Sequence, residues 1–231
     1  MIRNFFFFLF LPVMLSTPVH HIPNVTVALH PVKQPPQVVE GLKEALTIGT
    51  QNATKQLSAV DGFFANAAIK VLMPPEAKNV EKTLRQIGMG SLVDKTILSL
   101  NRAAEDATKS ATPIFVDAIK QMTINDAVGI LGGGDSAATV YFKQKTTPAL
   151  TAAFSPVIKQ SLDKVDATKY WSQTFSVYNK FSTKRVNTDL TAYVTQKAID
   201  GIFYQVALEE QKIRKDPAAR VTDLLRSVFG Q

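Results

Sequence analysis

From Val38 onward, apolar residues return at steps of three and four, and no stretch alternates at steps of two. Leu42, Leu46, Gly49, Ala53, Leu57 and Val60 predict a first helix from about Val38 to Ala59, broken by Asp61-Gly62. Val80, Leu84 and Ile87 stripe a second helix, entered through Met73-Pro74-Pro75 and stopped by Gly88. A third helix is expected from Ser91 to Lys109, with Leu92, Thr96, Leu100, Ala103 and Ala107 facing inward. Pro113 suits the first turn of a fourth, over Ile114 to Met122. Thr123 and Asp126 form a capping box that opens a short helix to Leu131, which Gly132-Gly133-Gly134 closes. Asp135 is placed to cap the next long segment, which Pro148 and Pro156 divide or kink.

Tyr170, Trp171, Phe175, Tyr178 and Phe181 then supply an aromatic helix, either core or the lining of an apolar groove. The segment from Asp189 to Arg214 would extend about 39 Å at 1.5 Å per residue. Leu190, Val194, Ala198, Ile202 and Val206 make one stripe of it, and Ile199, Phe203 and Ala207 widen that stripe, so it is expected to be the central helix. Thr222-Asp223-Leu224-Leu225 opens a short terminal helix ending at Phe229-Gly230. The chain over 38–231 thus reads as an all-α, single-domain helical bundle with a long, largely buried C-terminal helix.

Residues 29–37 break the periodicity as a proline-rich linker, and residues 1–28 differ again. Met1-Ile2-Arg3-Asn4 carries one positive charge, Phe5 to Leu15 is apolar apart from the break at Pro12, and no acidic residue precedes Glu40. This is the pattern of a secretory signal, with Thr26-Val27-Ala28 a suitable cleavage site; an uncleaved N-terminal anchor is the alternative. The apolar run is about half the roughly 20 residues that span a bilayer, and no transmembrane span is expected in the mature chain. The protein is therefore expected to be exported, to the periplasm or cell envelope of a bacterium. The usual bacterial lipoprotein anchor is excluded, because it needs a cysteine.

Composition narrows the chemistry. With 45% hydrophobic and 19% charged residues the chain is an ordinary globular one, but it has no cysteine, and its histidines are confined to His20, His21 and His30. The predicted domain thus lacks the residues for Ser-His-Asp or Cys-His catalysis, for His- or Cys-based zinc sites, and for thiol redox chemistry. The net charge of +7 falls to +6 without residues 1–28. Near the C-terminus Lys212, Arg214, Lys215, Arg220 and Arg226 alternate with Glu209, Glu210, Asp216 and Asp223, an ion-paired face and not a phosphate-binding stripe, so no nucleic-acid partner is expected.

Gly129 to Ser136 has the spacing of a phosphate loop, but Asp135 stands where lysine is required and no strand precedes it, so it reads as a helix stop and cap. Ser161-Leu-Asp-Lys164 has the Ser-x-x-Lys spacing of serine–lysine acyltransferases without that class's companion motifs, and reads as surface. Carboxylates are the remaining acid–base groups. Glu105, Asp126, Asp135 and Asp200 are the candidates, with Asn101, Arg102 and Tyr141 as further binding or buried polar residues. Arg102 and Glu105 lie one helical turn apart, able to pair with each other or to bridge neighbouring helices. Asp200, between Ile199 and Gly201, is expected to need a buried partner, and Lys197 is the nearest. No residue is assigned as catalytic, and neither a metal site nor a cofactor is expected.

Seven strings carry a resemblance. They are Asp61-Gly62-Phe63, Asn101-Arg102-Ala103-Ala104-Glu105, Met122-Thr123-x-x-Asp126-Ala127, Gly133-x-Asp135-x-Ala137-Ala138-Thr139-x-Tyr141-Phe142, Asp200-Gly201-x-Phe203, the stretch from Ile213-Arg214 through Asp216-Pro217 to Leu225, and Val228-Phe229-Gly230. In this order they resemble the exported, mainly bacterial family termed domain of unknown function 4197, over about Val38 to Gly230. The resemblance implies one exported helical domain, with no assigned activity or cofactor.

Signal-like N-terminus, helical domain and missing catalytic groups together point to a non-enzymatic binding module for an envelope protein, peptide or lipid, its oligomeric state open. Two other readings remain. A carboxylate-dependent hydrolase, assisted by Ca²⁺ or Mg²⁺, would bring two of the candidate carboxylates within about 9 Å of each other around a pocket. A purely structural or oligomerising helical module would show an apolar exposed face and no pocket.

Overall fold

The structure, a computed structural model, describes residues 35–164, 171, 189–220, 222, 223 and 226. Seven helices run along them: α1 (Pro35–Leu57), α2 (Lys78–Gln86), α3 (Gly90–Thr108), α4 (Ala111–Lys120), α5 (Ile124–Leu131), α6 (Ala137–Lys164) and α7 (Leu190–Lys215). Single 3-10 turns at Pro75–Ala77 and Pro217–Ala219 precede α2 and follow α7. No strand occurs among the described residues, and the protein is all-α.

The long helix α7 packs against α6, α1 and α3, while α4 closes over α1 and α6. Leu190, Val194, Ala198, Ile199, Ile202, Phe203 and Val206 are buried along α7, as its spacing predicts. The aromatic centre of the core is Phe115 of α4, set edge-on to Phe142 of α6 at 5.4 Å and to Phe203 of α7 at 6.1 Å between ring centroids. Gly201 is the close-approach point of α7, because a Cβ there would overlap the ring of Phe63.

Several ends match the sequence closely. Thr123 accepts the Asp126 N–H at 3.2 Å while the Asp126 carboxylate accepts the Thr123 N–H at 2.9 Å, the reciprocal box that opens α5. The Asp189 carboxylate accepts the Ala192 N–H at 3.0 Å and caps α7. Gly88, at φ 82°, ends α2 in a Schellman motif in which Met89 N–H bonds the Leu84 carbonyl at 2.8 Å and Gly88 N–H that of Arg85 at 3.2 Å.

Other expectations are corrected. The first helix starts at Pro35, inside the expected linker, because proline fits a first turn whose N–H groups have no helical partner. On α3 the inward face is Val93, Ile97, Leu100, Asn101, Ala104 and Glu105, besides Ala103 and Ala107, whereas Leu92 is exposed and Thr96 half-buried. At the start of this helix the stripe of Val93 and Ile97 is more apolar than that of Leu92 and Thr96, and packing buries it together with the polar Asn101 and Glu105 further along. Ile87 is exposed, though Val80 and Leu84 do pack on the core. Pro148 and Pro156 lie inside one continuous α6 and do not divide it.

Asp135 does not cap α6 either, since its carboxylate pairs with Lys215. The cap comes from α7. Glu210 accepts the N–H groups of Ala138 at 3.0 Å and Thr139 at 2.9 Å, and the Thr139 hydroxyl at 2.8 Å. Arg214, one turn on, pairs with Glu210 and donates to the carbonyl of Ile130 in the last turn of α5 at 2.8 Å. An anion thus faces one helix N-terminus and a cation the neighbouring helix C-terminus, both favourable for the helix dipoles. The predicted aromatic helix lies outside the described residues apart from Trp171, which is helical and buried. The predicted terminal helix lies largely outside them too, although the Arg226 N–H bonds the Thr222 carbonyl at 3.0 Å.

Candidate functional site

The largest concavity described is a groove of about 660 Å³ along the outer side of α3, between the turn after α1 and the last turn of α6. Its size falls within the usual range of small-molecule sites. The turn after α1 is fixed from α3. Asp61 takes a left-handed conformation at φ 67°, which Asp tolerates better than most residues, and the chain then folds back through Phe63. Glu105, buried on α3, accepts the N–H groups of Phe63 at 3.1 Å and Phe64 at 3.2 Å. Arg102 closes the arrangement with bonds of 2.6 Å to Glu105 and 2.7 Å to Asp61. These two bonds, that to Glu105 first, raise the Arg102 pKa, so its charge is permanent.

One turn before Glu105, Asn101 is wholly buried on α3. Its Oδ1 accepts the Val71 N–H at 2.8 Å and its Nδ2 donates to the carbonyls of Val71 at 2.8 Å and Ile97 at 2.7 Å. Asn101, Arg102 and Glu105 therefore fix the segment from Asp61 to Val71, which follows Ser58 and Val60 of the groove wall and supplies Ala68, Ile69 and Lys70 to a separate cleft.

The groove itself is apolar along Val60, Leu92 and Leu98, with lysines at its margins. Asp106 bonds Lys109 at 2.7 Å and accepts the Ser161 hydroxyl at 3.4 Å, and the Lys109 bond leads in holding its carboxyl below the ordinary value. Lys95 and Lys164, both exposed, line the same groove with no ion pair to any described carboxylate. Ser161 and Lys164 are thus neighbours in a real concavity, but the hydroxyl is spent on Asp106.

The other candidates are dispersed. Asp126 is held in the α5 cap, where the Thr123 N–H leads in lowering its pKa. Asp135 pairs with Lys215 at the start of α6. Tyr141 borders a second cleft of about 270 Å³ with Asp117, Gln121 and Lys145, and donates to the Ala118 carbonyl at 3.4 Å. Burial, and then the charge of Asp126, raise its pKa. Asp200 borders a third cleft of about 430 Å³ with Tyr193, Lys197 and Tyr204; it is exposed and accepts from Gln196 at 3.0 Å, not from Lys197. Of the four candidate carboxylates, only Glu105 reaches the large groove, and each has its own partner elsewhere. Among the described residues no group of three or more Asp, Glu or His is placed to hold a metal ion.

Fold and site define an all-α protein with an open, apolar, lysine-margined groove. Among the described residues, no helix is long and apolar enough to cross a membrane. The chain belongs to the family described as Protein of unknown function (DUF4197), whose model matches residues 33–230. No curated protein and no solved structure matches it.

Proposed function

We propose that this chain is an exported, non-enzymatic binding module of the bacterial cell envelope, and that its groove takes a single amphipathic anion, a lipid-type acyl chain ending in a carboxylate or phosphate. The observation that carries the reading is the combination, in one groove, of apolar walls from Val60, Leu92 and Leu98 with the exposed ammonium groups of Lys95 and Lys164, neither in an ion pair with a described carboxylate. An acyl chain buries apolar area against those walls, gaining roughly 0.8 kcal/mol per methylene. Either lysine then meets the charged end with a charge-assisted hydrogen bond. The signal-like Met1–Ala28 supports export to a compartment where such molecules occur. The dispersal of Glu105, Asp126, Asp135 and Asp200 onto separate partners supports a binder over a carboxylate hydrolase.

Titration with a fluorescent long-chain fatty acid tests this. Saturable one-to-one binding is expected, weakened about tenfold by Lys164→Glu or Lys95→Glu, the loss of ~1.4 kcal/mol, and abolished by Leu92→Asp. Native mass spectrometry of protein from its own host should show a bound acyl species. Absence of saturable binding, or variants that bind like the parent, would overturn the reading.

A further inference from the structure

The hairpin formed by α2 and α3 ends in an apolar tip. Ile87 is 64% exposed and Met89 43% exposed, on either side of Gly88. The Schellman geometry fixes this arrangement, since the left-handed Gly88 turns the chain and leaves the flanking side chains at the apex. The hairpin packs on the core through Val80 and Leu84 of α2 and Val93 of α3, while Ile87 and Met89 lie beyond those contacts at the turn. Nothing in the core needs Ile87 or Met89, and two large apolar side chains at the apex of a surface hairpin have an unfavourable exposure to water.

The charges along that hairpin favour cations. Between Lys78 and Lys95 lie four cations and two carboxylates, and both carboxylates are taken by one residue. Arg85 bonds Glu81 at 3.1 Å and Asp94 at 2.8 Å. Lys78, Lys82 and Lys95 are left exposed, with no ion pair to a described carboxylate. Lys82 and Lys78 follow the apolar apex back along α2, about 8 and 14 Å from Ile87 at 1.5 Å per residue. A helix laid along an anionic bilayer would put the apex side chains in the acyl boundary and these ammonium groups at headgroup phosphates.

We propose that the α2–α3 tip docks this protein on an anionic lipid surface through Ile87 and Met89, with Lys78 and Lys82 holding the headgroups. The surface is distinct from the groove, although Leu92 links them, because it lines the groove one turn beyond Met89. Docking would therefore set the groove's mouth at the lipid boundary.

The absence of cysteine gives a local readout in the full chain. An environment-sensitive fluorophore is attached to Met89→Cys and, as the control on another element, to Val128→Cys, which is more exposed than Met89. The Met89 label should shift to the blue with phosphatidylglycerol vesicles and not with phosphatidylcholine vesicles, while the Val128 label stays unchanged. Lys78→Gln with Lys82→Gln should raise the vesicle concentration at half of that shift by about 30-fold, roughly fivefold for each lysine. The proposal falls if the Met89 label does not respond to anionic vesicles, responds equally to neutral ones, or shifts no more than the Val128 label. It falls also if the shift follows protein concentration alone, which would assign the tip to a second copy of the chain. Neither Ile87 nor Met89 lines the groove, so Ile87→Ser with Met89→Ser should leave fatty-acid binding in solution unchanged. Failure of the docking and failure of the groove reading are therefore separately visible.

Discussion

Asn101 is bonded both ways to the backbone of Val71, accepting its N–H and donating to its carbonyl, each at 2.8 Å. A buried side-chain amide here does what a strand partner would do, satisfying both polar groups of a residue in a segment with no regular structure. The position tolerates few other residues, because a carboxylate has no donor and an apolar group has neither donor nor acceptor.

Asn101→Ala should strand the Val71 N–H and carbonyl in the core, at about 1–3 kcal/mol for each group left unmade. Urea unfolding should show a loss of that order. Amide exchange at Val71, Phe63 and Phe64 should rise well beyond the global change, since the damage begins in the Asp61–Val71 segment.

Glu210→Ala removes the cap of α6 and leaves Arg214 without its partner. Both groups are largely buried, with side chains 5% and 14% exposed, so a loss of about 3–5 kcal/mol is expected. Glu210→Gln keeps an acceptor for one of the two amides and should lose less. Equal losses in the two variants, measured by denaturant unfolding, would contradict the capping role.

Gly201→Ala should destabilise by about 1–3 kcal/mol, because the added methyl meets the Phe63 ring in a filled core. Phe63→Leu frees space at the same point. Thermal unfolding of the double variant should therefore recover part of the loss, a non-additivity that distinguishes overlap from a general intolerance of α7.

Asp106 and Asp126 are both held below the ordinary carboxylate value of 3.8, by Lys109 and by the Thr123 N–H respectively. The folded chain therefore binds these protons more weakly than the unfolded chain does. Their stabilisation is complete above the unfolded value and is lost as pH falls through the lower folded values. Stability should decline below about pH 4, and Asp106→Asn with Asp126→Asn should flatten that acid limb while lowering stability at neutral pH. Unfolding free energies between pH 2 and pH 7 check this.

The helices were legible because their signals are local. The Thr123–Asp126 box and the Gly88 stop each need only a few consecutive residues, and the stripe from Leu190 to Val206 needs only its own period. What escaped is what lies between elements. Asp135 has the right type and place for a cap, yet the α6 amides find Glu210, and no spacing rule links positions 71 and 72 residues apart. On α3 the polar Asn101 and Glu105 face inward because unpaired loop amides need them there, a demand invisible in the helix's own sequence. The groove was illegible for the same reason. Leu92 looks like a core leucine until the turn at Val60 and the end of α6 arrive beside it, and Lys95 and Lys164 are ordinary surface lysines until they share a concavity.

The clamp made by Glu210 and Arg214 bears on the order of events during synthesis. Chain emerging from its N-terminus presents α5 and the start of α6 long before residue 210 exists, so the junction at Gly132–Gly134 stays frayed at both helix ends until α7 arrives. Fragments ending before Glu210 are expected to keep an open, protease-sensitive joint there, and fragments that extend past Arg214 to close it.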